Sequence, residues 1–236
     1  MRKVLLLCVL GFAGLWSFAS LAAGPEFSAD VVAVNLKDQS EHTIGKLYVS
    51  NSRQRKEMVV PDKRATEEYG QRVVQIINPQ HQAMWQVFPD KQKYWEWTGK
   101  IPMEPPPLPG DPRHFCAQGN GMSCAKLATE SLNGRMIDKW ELTITKEGRT
   151  VKSFVWLDQK LGMPIREEIA GMGAMELRNI KEDSQPDNLF EIPTGFQKVE
   201  PPRGRGPGSL GVPGGSPGPS VQPPRPGIPP LGVPPQ

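Results

Sequence analysis

Two cysteines carry the most specific chemistry in this 236-residue chain. Cys116 and Cys124 flank a segment with Gly119 and Gly121, which frees the backbone to bend back on itself. In an oxidising compartment such a pair forms a disulfide. Closing a loop of about nine residues stabilises by about 2.6 kcal/mol on the chain-entropy model. The alternative is a metal site, because His114 stands two residues before Cys116 and adds a third ligand. That set lacks a fourth ligand and the short cysteine spacing of zinc sites.

Other reactive side chains do not assemble into a catalytic pattern. The segment 24–199 has no Gly-x-Ser-x-Gly elbow, no His-Glu-x-x-His and no phosphate loop. His42, His81 and His114 each stand in a polar, turn-like setting. Glu167 and Glu168 occupy adjacent strand positions, so they point to opposite faces and cannot work as an acid–base pair. Neither an enzyme nor a cofactor is expected. The basic run Arg53 to Lys56 reads as a solvated strand edge or hairpin tip, or else as a contact for anionic headgroups or an acidic partner. Aromatic residues gather at Trp85, Tyr94, Trp95 and Trp97, and again at Phe154 and Trp156, close to Met163. Trp95 and Trp97 share one face of a strand and either fill a core or line a cavity.

The elements that position these residues follow from pattern. Arg2 and Lys3 precede an uncharged run, Val4 to Ala23, that ends in small residues. This is the layout of a secretory signal peptide over residues 1–23, cleaved after Ala22 or Ala23. An uncleaved anchor is the alternative, since about 20 apolar residues can span a bilayer. Cys8 lies too close to the charges for a lipidation signal. The formal charge is +3, of which Arg2 and Lys3 supply +2 and the tail another +2, so the segment between is near −1. A near-neutral domain is not built to neutralise phosphates, so nucleic acid is not an expected partner.

Residues 200–236 form a separate tail, with 13 Pro and 9 Gly among 37 residues and no aromatic side chain. It cannot bury enough apolar surface to offset its ordering entropy, so it is expected to be disordered. Its second reading is a tether or polyproline ligand for an envelope protein partner.

Residues 24–199 read as one mainly β domain. Alternation marks Phe27 to Val34 and Ile44 to Val49, and strands are expected at Arg72–Ile77, Met84–Phe88 and Lys93–Thr98. Asn133-Gly134 is a hairpin signal between Leu127–Leu132 and Met136–Thr145. Val151–Leu157, Ile165–Ala170 and Ala174–Ile180 follow, and Gly195–Val199 closes. A helix of any length is expected only around His114 to Leu127. Val73 to Ile77 and Phe154 to Leu157 are apolar on both faces, which requires cover on both sides or a ligand on one.

The order of these segments resembles the periplasmic lipoprotein-carrier-like superfamily, which includes the carrier and the outer-membrane receptor of the Lol pathway. The resemblance rests on Gly45-Lys46-Leu47-Tyr48-Val49 and Met84-Trp85-Gln86-Val87-Phe88-Pro89. It rests also on Gly162-Met163-Pro164-Ile165-Arg166 and the ending Phe190-Glu191-Ile192-Pro193-Thr194-Gly195-Phe196. That ending is most similar to an uncharacterised periplasmic branch. The resemblance implies a curved antiparallel half-barrel, with little helical cover here, that binds lipid or lipoprotein acyl chains on its concave apolar face without chemistry. Trp85, Trp95, Trp97, Phe154, Trp156 and Met163 are the expected ligand-binding residues, and the periplasm the expected location. An envelope-stress sensor or scaffold with a filled core is the other reading. Two features depart from the carrier pattern: the chain enters a strand without a preceding long helix, and Asn51 stands where the carrier has its key arginine. Exported protein should start after Ala22 or Ala23 and weigh about two mass units less than its reduced form; free thiols, or bound metal in their place, would exclude the disulfide.

Overall fold

The computed structural model describes residues 24–60, 63–98, 122–146, 149–169 and 173–202. The expected leader, His114, Cys116 and residues 203–236 lie outside that range. Twelve strands form one open, curved sheet. They are β1 Glu26–Val34, β2 Glu41–Ser50, β3 Arg53–Val59, β4 Arg72–Asn78, β5 Ala83–Phe88, β6 Lys93–Thr98, β7 Met122–Leu132, β8 Arg135–Lys146, β9 Arg149–Asp158, β10 Met163–Ile169, β11 Gly173–Lys181 and β12 Gln197–Lys198. Among the described residues a single short α-helix, α1 Lys63–Tyr69, joins β3 to β4.

Local chemistry sets the turns. Asn133 and Gly134 both have positive φ, 50° and 76°, which suits the type I′ turn that Asn-Gly favours between β7 and β8. Two short 3-10 turns, Pro79–His81 and Pro89–Lys91, each begin with the fixed φ of proline and end on a left-handed glutamine, Gln82 and Gln92. Gly45 on β2 is needed for close approach: a Cβ there would lie 2.0 Å from the carbonyl oxygen of Glu57 on β3.

The sheet is two meanders fused at their ends. Strands β1 to β6 run outward in one direction and β11 to β7 in the other, and β1 pairs antiparallel with β11 through Val31↔Leu177 and Ala33↔Met175. β12 adds in parallel to β6. Register places Leu47, Lys56, Gln75, Gln86 and Trp95 on the same face as Val31, Leu177, Met175 and Glu167. This face is called the inner one below, and the opposite face, which carries Trp85, Arg55 and Glu176, the outer one.

The outer face over β3 to β5 is closed by the segment after β11. Phe190 is fully buried against Val74, Ile76, Trp85 and Val87. Arg53 Nη2 donates to Asp187 at 2.7 Å, Arg55 Nη1 to the Leu189 carbonyl at 3.0 Å and Asn78 Nδ2 to the Phe190 carbonyl at 3.2 Å. The Arg53 guanidinium also stacks on the Phe190 ring at 4.6 Å. Arg53 and Arg55 are thus a clamp on the chain end rather than a solvated tip, because β3 is an interior strand and its outward arginines meet this segment.

The helix expectation around His114 to Leu127 fails over Met122–Leu127, which belongs to β7 and pairs with β8 from Met122↔Ile144 onward. Its short apolar content fits either state, and cross-strand bonding decides. The helix that does form, α1, has no apolar period; Tyr69 anchors it by packing 5.1 Å from Phe88 and 5.3 Å from Trp95, centroid to centroid. Phe190→Ala should lower unfolding free energy by about 3–5 kcal/mol through the cavity it leaves. Urea melts of the two proteins measure this, and a loss under 1 kcal/mol would show that the segment does not close the outer core.

Candidate functional site on the inner face

One transverse row defines the site. Leu47, Lys56, Gln75, Gln86 and Trp95 are cross-strand neighbours in sequence across β2 to β6. The row starts apolar, becomes polar across three strands and ends on an aromatic group. There Phe88 meets Trp95 edge-on at 4.7 Å and Trp95 meets Trp97 at 5.9 Å, with Tyr69, Val73 and Val199 packed around them. Such perpendicular pairs add about 0.5–1.5 kcal/mol beyond area burial. In the centre of the sheet Phe27, Ala29, Val31, Leu47 and Val49 are all buried. Beyond β10, Val155 and Leu157 of β9 pack with Leu142 and Trp140 of β8 and with half-buried Cys124 of β7.

The six expected binding residues divide between the two faces. Trp95 and Trp97 stand on the inner face. Trp85 stands on the outer one, where its indole N–H donates to Glu96 at 3.0 Å beside Phe190. Phe154 and Trp156 are in register with Glu168 and Arg166, and Trp156 is buried in the same cluster as Phe27, Val31 and Leu47, with Phe154 packed against it. Lys139 caps both rings, at 5.5 and 4.8 Å, and Arg166 lies 5.1 Å from Trp156. Met163 is half-buried where β10 begins, opposite Asp158. Alternation within one strand correctly pairs Trp95 with Trp97, but it cannot say which side of a two-faced apolar strand is concave.

Two charged residues for which the sequence suggested no binding cavity also lie on the inner face. Lys56 and Glu167 are half-buried there. Loss of solvation pushes the Lys56 ammonium below the usual lysine range, opposed by the Glu167 charge. Loss of solvation likewise pushes the Glu167 carboxyl up, opposed by Lys56. The available signal was phase: Lys56 is two residues from buried Met58, so it shares the face that Met58 occupies.

The outer face holds a paired network. Glu176 accepts from Arg166 at 2.7 Å, Arg178 at 2.8 Å and Asn133 at 3.0 Å, and Arg178 continues to Glu41. Asp158 accepts from Arg135 and from the backbone N–H groups of Lys160 and Leu161 at 2.8 Å each, which fixes the β9–β10 turn. An open cavity of about 440 Å³ between β1, β2 and β11 is lined by Ser28, Asp30, Lys46, Asn179 and Lys181. A second, of about 230 Å³, lies beside Tyr69, Trp95 and Pro202. Cys124 is in the disulfide-bonded state, and its expected partner lies outside the described residues.

The chain matches no protein-family model and no curated protein. Solved structures with a similar course are known at low similarity. PNGF-II is 10% identical with a TM-score of 0.42, over 75% of this chain and 31% of that one. This chain thus spans about a third of the length of PNGF-II. The lipoprotein LppX of Mycobacterium tuberculosis is 13% identical with a TM-score of 0.34, over 69% and 88%. A putative outer membrane lipoprotein-sorting protein domain from Vibrio parahaemolyticus is 12% identical with a TM-score of 0.28, over 71% and 89%. Scores this low carry no functional argument.

Burial alone would raise the Glu176 carboxyl, but hydrogen bonds from Arg178 and Arg166 hold it below the usual glutamate range. A depressed carboxylate adds stability above its unfolded-state pKa and loses it as pH falls through the folded-state value. Glu176→Gln should therefore cost about 2 kcal/mol at neutral pH and flatten the acid limb of thermal midpoint against pH. Parallel acid limbs in the two proteins would refute that role for the carboxylate.

Proposed function

We propose that this protein is an exported, non-enzymatic binding protein of the cell envelope that holds the acyl chains of lipids or lipidated proteins along its inner face. One observation carries the reading. The face that carries Trp95 and Trp97 also carries Leu47, Val31, Leu177 and Val155, and Lys56, Gln75 and Gln86 interrupt this apolar strip across β3 to β5. Among the described residues the only α-helix over it is the seven-residue α1. Each buried methylene of a chain lying there stabilises by about 0.8 kcal/mol before ordering costs, so a few methylenes decide whether binding is measurable. The leader-like segment 1–23 supports export, and the unit 24–199 is the proposed binding domain. Residues 200–236 are proposed as an extended tether, and Cys116 as the partner of Cys124.

One observation favours the second reading, a scaffold or sensor with a filled core. Phe27 and Val31 are 0% and 1% exposed, so the centre of the inner face is already occupied by the protein's own side chains. A ligand would then lie on the flanks, nearest Trp97, which is half-buried.

A fluorescent fatty-acyl probe separates the two readings. Micromolar binding is expected, weakened several-fold by Trp97→Gln or Phe154→Gln. Folded protein that leaves the probe dark excludes the carrier reading and leaves the scaffold.

A further inference from the structure

The outer-face cavity between β1, β2 and β11 is lined by hydrogen-bond donors that the fold itself does not use. It opens where the β1–β11 ladder slips: Ser28 and Asp30 face Lys181 and Arg178, so three steps of β11 span two of β1. Asn179 absorbs the surplus at φ 52°, and its amide donates to the Asp30 carboxylate at 2.8 Å. Asparagine tolerates this left-handed backbone better than most residues, and bulges of this kind re-aim side chains beside sites. Register brings the lining together on one face: Ser28 stands between Tyr48 and Lys181, and Asp30 between Lys46 and Arg178. Arg178 is held by Glu176 and Glu41. Asp30 is satisfied by Asn179 and by the Lys46 ammonium at 3.5 Å. Lys181 and the hydroxyl of half-buried Ser28 have no hydrogen-bond or ion-pair partner among the described residues.

The charges lining the cavity are Asp30 against Lys46 and Lys181, a surplus of one cation. With the Asp30 carboxylate occupied, the groups left to bind a ligand are a hydroxyl and two ammonium groups. They approach from β1 and from the strands on either side of it. A cation would meet like charge there, and a neutral polyol would leave Lys181 unmatched. An oxyanion satisfies all three, because its oxygens accept charge-assisted hydrogen bonds. We propose that this cavity binds the phosphate of a small, soluble polyol phosphate, with Ser28, Lys46 and Lys181 as donors. Its volume of about 440 Å³ leaves room beside the phosphate for the polyol. Segment 24–199 is near −1 overall, so the attraction is local to the cavity rather than that of a basic membrane-binding surface. The site lies on the outer face and does not depend on the acyl-binding reading.

The test uses the chain without residues 1–23 and four probes: glycerol 3-phosphate, inorganic phosphate, glycerol and phosphatidylglycerol vesicles. Calorimetric titration should show millimolar or tighter binding of both phosphates, tighter for glycerol 3-phosphate, and none of glycerol. Lys181→Met and Ser28→Ala should each weaken binding at an unchanged thermal midpoint. The lysine change should cost about tenfold, as one charge-assisted hydrogen bond is lost. Lys93→Met, at an exposed lysine of β6, should leave binding as it is. Binding of neither phosphate would overturn the proposal. So would equal losses from Lys181→Met and Lys93→Met, which would reduce the site to diffuse attraction. Equal affinity for the two phosphates would overturn the polyol. Binding to the vesicles alone, with glycerol 3-phosphate inert, would assign the phosphate contact to a membrane surface and overturn the cavity site. Acyl binding is read separately by the fatty-acyl probe, so either reading can fail without the other.

Discussion

The pairing of β1 with β11 is the contact on which the whole molecule depends. It joins residues 28–34 to residues 174–181, and no other ladder connects the two meanders. Every other antiparallel ladder pairs neighbours in sequence and forms locally. The β1–β11 ladder must instead close a loop containing almost the whole domain before it returns any energy, a cost that grows only slowly with loop length but delays folding. Its side chains repay that cost on both faces. Phe27, Ala29 and Val31 point inward to the largest buried cluster, while Val32 and Val34 meet Ala174 on the outer side.

Curvature follows from this junction and the irregularities beside it. The β1–β11 register slips between Ser28 and Asp30, with Asn179 at φ 52° in the slipped stretch, and the β1–β2 register slips between Val31 and Val32. A third slip lies between Pro164 and Arg166 on β10. Bulges of this kind bend strands and increase local twist. They fall on three of the four ladders that join β2 to β9 at the middle of the sheet, and a fourth slip lies between Lys126 and Ala128 on β7.

The two faces resolve the demands of a doubly apolar sheet differently. Over β3 to β5 the outer face is closed by the protein's own segment from Asp187 to Phe196, held by Arg53, Arg55 and Asn78. Over β8 to β11 it is closed by long cationic side chains lying on aromatic rings and by the Glu176 and Asp158 networks. The inner face has α1 at one end. Lys56 and Glu167 make no ion pair there, whereas on the outer face Glu176 and Asp158 each hold three donors.

Period-two alternation and turn chemistry determine most of the strands. The hairpin at Asn133-Gly134, the Pro-initiated turns at Pro79 and Pro89 and the closing Phe-x-Ile-Pro-x-Gly-Phe segment all act through residues close in sequence. The apolar pairs Trp95 with Trp97 and Phe154 with Trp156 are likewise set by alternation alone. Alternation, however, is symmetric: it assigns two faces and cannot rank them. Which face is concave depends on the β1–β11 register and its bulges, contacts across more than a hundred residues that no local pattern encodes. Tertiary contacts of the same kind bury Trp156 with Phe27 and Val31 and make Arg53 a buried clamp on Asp187. Helix α1 belongs to the same class, because its polar sequence is helical only where Tyr69 finds Phe88 and Trp95.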